Sequence, residues 1–346
     1  MRTDSLRSLI VAAGLLLPTS APMCGEVIWG ANGHPLVSYP GVPIEDQLDL
    51  LKDLGMKSYR VDVYRMETIP DLERIIDEAE LRDLEVLPIL IPPVNLEKDD
   101  EEKLYETSRA FASTFVRHFG ERVAVWELGN EMEIFALIKP CEMQDDGKQY
   151  PCEWGIAGGV GPLDYYGPRY VKVAAVLRGL SEGVRDASPT ARRAIGTAGW
   201  GHLGIFERLR NDGVPWDITV WHMYGGNPVE EFKALATYGK PIWVTEMNHP
   251  YGSQKGEREQ AYGLGRLMKC LDAVSETYKI EAVHIYELLD EPYWAPDYEA
   301  YMGLVQLVPT PGGGYSIGAR KPAYDVAKQI IAEGAGPEQE GFCVEK

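Results

Sequence analysis

Beyond its first two dozen residues the chain alternates short apolar runs with longer amphipathic ones. Eight runs are brief, apolar and mostly rich in β-branched residues: 27–31, 58–63, 85–91, 123–128, 192–197, 218–222, 242–245 and 282–286. Parallel strands buried on both faces read this way. The stretches between them carry helical spacing. Ile44, Leu48 and Leu51 recur at i, i+4 and i+7, and Gly55 is placed to stop that helix. Leu264, Leu267 and Leu271 keep similar spacing in a later helix, and a last helix is predicted over 322–332.

Strand followed by helix, eight times over, specifies a parallel α/β architecture. An open doubly wound sheet and a closed barrel both satisfy that alternation. Eight repeats favour the (β/α)8 TIM barrel, as a single domain over 22–346. The phosphate-binding turn of a dinucleotide fold is missing, because Gly30-Ala31-Asn32-Gly33 lacks the required glycine spacing. The glycine runs at 158–161 and 312–314 read as loops. The longest insertion, 132–165, follows the fourth strand. In a barrel it lies on the C-terminal face, where active sites are built.

Charge narrows the function. The chain has 34 basic and 53 acidic residues, a net charge of −19. That excludes a nucleic-acid binder, which needs a basic face. Arg2 and Arg7 precede an apolar run over 9–17, with small residues at Thr19, Ser20 and Ala21. This reads as a signal peptide over 1–21 and implies a secreted or periplasmic protein. Cys24 raises lipoprotein attachment as the alternative, ranked second because Ala21-Pro22-Met23 matches a lipidation box poorly. No other stretch reads as a membrane span. Of five cysteines, Cys141 and Cys152 flank a short polar loop and are expected to pair. Cys24 and Cys343, near the two ends, form a second conceivable pair. Cys270 sits in an apolar helix pattern as a buried free thiol. No cysteines and histidines have metal-site spacing.

Two strings carry the chemistry. Trp126-Glu127-Leu128-Gly129-Asn130-Glu131 closes the fourth strand, and Trp243-Val244-Thr245-Glu246 closes the seventh. Each puts a carboxylate where a strand empties into a loop. Cleaving a glycosidic bond needs two such groups, one protonated to help the leaving oxygen and one ionised to attack the anomeric carbon. Two carboxyl groups suffice, so no cofactor is expected.

Asn130-Glu131 after the fourth strand, with Glu246 after the seventh, resembles clan A of the glycoside hydrolases. The string from Trp126 to Glu131 resembles families 39, 51 and 79 in particular. The resemblance runs from Trp29 to Lys321-Pro322-Ala323-Tyr324. It implies a retaining enzyme with Glu131 as general acid/base and Glu246 as nucleophile. It places Asn130 on the sugar 2-hydroxyl and Arg60 beside the nucleophile, and His222 and Tyr224 on nucleophile or substrate. Asn32 and His34 would contact sugar hydroxyls, with Trp200, Tyr286 and Trp294 as stacking platforms. Two positions depart from the clan pattern: Met132 follows Glu131 in place of proline, and the eighth strand ends in Tyr286 in place of tryptophan.

Plainer readings stand beside these. Arg60 could form a structural ion pair with Asp62 or another carboxylate, and His222 could be a satisfied core histidine. His249 is an even choice between site and scaffold. Trp126 and Trp243 are expected to pack against helices. Glu127, Glu133, Glu287, Asp290 and Glu291 read as loop or supporting acids, and His118 and His202 as surface residues. The expectation is a secreted retaining glycosidase acting on a polysaccharide or oligosaccharide, its Glu131 held at a raised pKa by burial and by Glu246. A non-catalytic carbohydrate-binding barrel and a transglycosylase are the alternatives.

Overall fold

The computed structural model describes residues 27–334 together with Cys343. The signal-peptide and Cys24 expectations fall outside the described residues. Eight parallel strands pair in chain order and close on themselves. They are β1 (Ile28–Gly33), β2 (Ser58–Val63), β3 (Glu85–Leu90), β4 (Val125–Leu128), β5 (Arg192–Thr197), β6 (Ile218–Tyr224), β7 (Ile242–Asn248) and β8 (Ile280–Ile285). The outer helices are α1 (Ile44–Leu54), α2 (Ile69–Glu80), α3 (Glu101–Phe119), α4 (Gly167–Ala187), α5 (Gly204–Asn211), α6 (Val229–Ala236), α7 (Glu257–Tyr278) and α8 (Pro322–Glu333). This is the (β/α)8 barrel that the alternation predicts. Gly55, at φ 80°, closes α1 in the left-handed conformation that glycine adopts without a Cβ clash.

Two apolar layers hold the barrel together. Inside, Leu87, Ala194, Ile218, Val220, Trp243 and Ala282 form one cluster. Trp243 therefore fills the barrel interior and does not pack on helices as expected. Trp126 points outward to Phe119 of α3, with ring centroids 6.2 Å apart. The larger layer lies between strands and helices.

β6 and β7 run past the ends that apolar patterning assigns to them, because their last turns carry polar residues. A register shift between Trp221 and His222 sets His222 opposite Glu246 and Tyr224 opposite Asn248. Between β8 and α8 lies an unanticipated antiparallel hairpin, β9 (Val305–Pro309) with β10 (Tyr315–Arg320). The 312–314 glycines make its turn, with Gly313 at φ 84° and Gly314 at φ 78°.

α3 and α4 approach through two glycines one turn apart. A Cβ on Gly179 would lie 2.3 Å from the Tyr105 carbonyl oxygen, and one on Gly183 would lie 2.4 Å from that of Arg109. Neither backbone can yield without moving a helix. Gly179→Ala is expected to lower the unfolding free energy by about 1–3 kcal/mol, the usual range for overpacking. A urea melt with an unchanged midpoint would contradict this.

Cys141 and Cys152 are bonded, with S–S 2.07 Å and Cα atoms 4.4 Å apart. Cys270 is not a free thiol: it pairs with Cys343, Cα–Cα 5.4 Å, across 73 positions of sequence. Helical periodicity marked Cys270 as buried but carried no trace of a partner returning from beyond α8. That bond also takes the cysteine suggested for Cys24. Among the described residues no helix is long and apolar enough to cross a membrane.

Candidate active site

Arg60 on β2 is the hub of the mouth. Its Nε and Nη2 donate to the two oxygens of Glu127 at 2.8 Å each. Nη1 donates to Asn32 Oδ1 at 2.6 Å and to Glu246 Oε1 at 2.8 Å, and Nη2 to Asn130 Oδ1 at 2.9 Å. The ion pair is thus with Glu127 and Glu246 and not with neighbouring Asp62, whose carboxylate takes Nδ1 of His34 at 2.6 Å. Burial works against the guanidinium charge. The Glu127 and Glu246 carboxylates outweigh it and hold Arg60 protonated.

Glu246 has a donor on each oxygen: Arg60 on Oε1, and the Tyr224 hydroxyl on Oε2 at 2.6 Å. Burial, with Glu246 beside it, keeps Tyr224 a neutral phenol that can only donate there. His222 Nδ1 lies 2.8 Å from Glu131 Oε1 and 3.3 Å from Glu246 Oε2. One oxygen of Glu131, one of Glu246 and a His222 nitrogen all lie within 4.8 Å of one another. On its other side His222 Nε2 reaches Thr245 Oγ1 at 3.2 Å, and that hydroxyl donates to Glu127 Oε1 at 3.2 Å. Both ring nitrogens therefore face acceptors. Burial opposes charging the ring, but Glu246 and then Glu131 prevail and raise its pKa.

This alters the expectation for Glu131. Burial does push its pKa up, but the hydrogen bond and charge of His222 outweigh burial and leave it below the ordinary range. Both effects favour a proton on the imidazole over one on the carboxylate oxygen 2.8 Å away. Glu131 also adopts φ 47°, ψ 36°, a left-handed conformation sparsely used by residues with a Cβ.

The groups open into a cleft of about 520 Å³. His34, Arg60, Asn130, Glu131, Trp200, Tyr224, Glu246, Tyr286 and Trp294 all line it. Asn32 and His222 do not. The Asn32 amide is used up beneath the floor, donating to the carbonyls of Thr245 and Ile285 while accepting from Arg60. Trp200, 70% exposed, and Trp294 present open rings.

Sequence reading missed Tyr298 and Glu299, which also line the cleft. Glu299 is raised to about 7 by burial and, past an opposing Tyr298 hydrogen bond, by the charge of Glu246. It missed the role of Glu287 too. That residue is fully buried, and burial with neighbouring Glu291 raises it to about 8. Only their place after the eighth strand could have drawn attention to them. His202 is not a surface residue: it is buried against Glu133 Oε1 at 2.8 Å and borders the cleft. His118 does lie at the surface beside Glu73. His249 packs against Gly263 of α7, outside the cleft.

No protein-family model matches the chain, and no curated protein matches it. Solved structures share the fold. A family 1 β-glucosidase from Thermotoga maritima superposes with a TM-score of 0.63 at 11% identity, covering 88% of this chain and 97% of its own. The Thermotoga maritima β-glucosidase in complex with deoxynojirimycin gives 0.63 and 11%, over 90% and 98%. Its complex with castanospermine gives 0.62 and 11%, over 92% and 98%. At such identity the likeness is one of fold: a closed parallel eight-stranded barrel spanning nearly the whole chain.

Proposed function

We propose that this chain is a retaining glycoside hydrolase of clan A, acting on a polysaccharide or oligosaccharide outside the cytoplasm. The observation that carries the reading is the approach of Glu131 and Glu246 to within 4.8 Å, oxygen to oxygen, at the floor of one cleft. Retaining enzymes hold their carboxyl groups about 5–5.5 Å apart, whereas inverting ones leave room for a water between them. The fold neighbours, family 1 β-glucosidases, support the clan but do not single out families 39, 51 or 79. Two disulfides suit an oxidising compartment.

Glu246 is the nucleophile. Arg60 and Tyr224 each donate to one of its oxygens, which aims it. Its attack on the anomeric carbon forms a glycosyl ester as the bond to the leaving oxygen breaks. Glu131 delivers the proton to that oxygen, drawing on the proton that His222 holds at 2.8 Å. Once the ester forms, Glu246 loses its charge. Glu131 then takes a proton from water, and the hydroxide cleaves the ester with retention. Asn130, its oxygen fixed by Arg60, offers its NH2 group to the sugar.

The test is a panel of polysaccharides and aryl glycosides, with the anomeric form of fresh product read by NMR. Product of retained configuration is expected. Inverted product would sink the mechanism. Binding without turnover across the panel would favour a carbohydrate-binding barrel.

A further inference from the structure

A second cluster of chemistry-bearing groups stands on the β1 and β8 side of the mouth. His34 follows β1, and Glu287 and Glu291 follow β8. One imidazole nitrogen and one carboxylate oxygen from each glutamate lie within 4.8 Å of one another. The three residues are 8%, 0% and 4% exposed, so solvent does little to separate their charges. His34 and Glu291 nevertheless reach the wall of the cleft.

Hydrogen bonding in the cluster is one-sided. Asp62 takes His34 Nδ1 at 2.6 Å, Tyr39 donates to Glu287 Oε2 at 2.9 Å, and Tyr293 donates to Glu291 Oε1. Each residue is thereby held from outside the cluster. On the inside, His34 Nε2 and Glu287 Oε1 are buried with no hydrogen-bond partner among the described residues. Native proteins rarely leave buried polar atoms unmet, and a bound ion is one of the things that account for an exception.

We propose that His34, Glu287 and Glu291 ligate one divalent cation of the zinc or manganese kind, with Asp62 braced behind the imidazole. Metal-binding histidines characteristically donate their second ring N–H to a carboxylate, which fixes the tautomer and aims the other nitrogen's lone pair. Asp62 does this for His34. Nε2 then stands 3.3 Å from Glu287 Oε2 and within reach of Glu291, where a cation would meet one atom of each residue. An imidazole ligand disfavours magnesium and calcium, which take oxygen donors. Three protein ligands leave coordination positions open toward the cleft, where a hydroxyl-bearing ligand would meet the ion. The assignment does not rest on the glycosidase reading.

The test is direct metal binding. The full chain, stripped with chelator, is titrated with Zn²⁺ alone and Mn²⁺ alone by calorimetry, and bound metal is counted by mass spectrometry. Asp62→Asn, Glu291→Gln and, as a surface control, Glu73→Gln are titrated beside it, after near-UV circular dichroism has shown each to be folded. One ion per chain is expected. Asp62→Asn should weaken binding about 10–100-fold, Glu291→Gln at least as much, and Glu73→Gln not at all. Cobalt(II) substituted at the site should show an absorption spectrum that Glu291→Gln alters. No stoichiometric ion at millimolar metal would overturn the proposal. So would equal affinity in the parent, Asp62→Asn and Glu291→Gln, which would put the ion elsewhere.

Discussion

Glu246→Ala is expected to abolish turnover on every substrate, while Glu131→Ala is expected to keep a first step on aryl glycosides with acidic phenols. The difference follows from what each carboxylate does. Without Glu246 no glycosyl ester can form. Without Glu131 the leaving oxygen goes unprotonated, which matters little for a good leaving group. The ester then accumulates, because nothing activates water. Azide needs no general base, so adding it to Glu131→Ala should restore turnover and yield a glycosyl azide of retained configuration. On natural linkages the defect should be about 10²–10⁴-fold or larger, the usual worth of acid/base help. Glu246 is also a partner of Arg60, so Glu246→Gln should be assayed beside the alanine variant to separate chemistry from folding. A glycosyl azide of retained configuration from Glu246→Ala, and of inverted configuration from Glu131→Ala, would exchange the two roles.

The second large effect belongs to Arg60. One guanidinium makes hydrogen bonds to Asn32 on β1, Glu127 and Asn130 on and just after β4, and Glu246 on β7. Arg60→Met would take from Glu127, 1% exposed, and Glu246 the guanidinium that binds both. Breaking one side of a buried pair typically costs about 3–5 kcal/mol. Urea unfolding should register that loss, and activity should fall with it. Arg60→Lys should recover only part, because an ammonium cannot meet both Glu127 oxygens in the fork geometry seen here. The added change Glu127→Leu should win back stability in the Arg60→Met background, since it removes the stranded charge. If Arg60→Met unfolds at the parent midpoint, the hub does not hold the barrel together.

What the sequence disclosed was mostly local. β2 and β5 end where the sequence pattern ends, although β2 carries Arg60 and Asp62 and β5 opens on Arg192 and Arg193. β6 and β7 extend into His222, Tyr224, Glu246 and Asn248, where the demands of the mouth replace the apolar pattern. The carboxylates themselves could be found because each closes a recognisable strand. Periodicity alone could not supply their partners, because those contacts join residues 91 and 186 positions apart; Arg60, His222 and Tyr224 were placed near the nucleophile only through the family resemblance. Periodicity says that Arg60 and Asp62 share a face of β2. It does not say that one turns to Glu127 and the other to His34. The raised pKa expected for Glu131 was misjudged for a similar reason: burial was inferred, but the imidazole pressed against it was not.

The Cys270–Cys343 bond closes a covalent ring around the β8 side of the mouth. Tyr286, Glu287, Glu291, Trp294, Glu299 and the β9–β10 hairpin all fall inside those 73 positions. A protease cutting the glycine turn at 312–314 would therefore release nothing: the two pieces stay threaded on one loop, and half the cleft's wall keeps its tether to α7. Only reduction would free it, and reduction alone would return about 4 kcal/mol of chain entropy to the unfolded state in the loop-closure model. Nicked protein should run as one band until a thiol is added, then as two. In surroundings rich in proteases the mouth would thus fail by reduction before it failed by cutting.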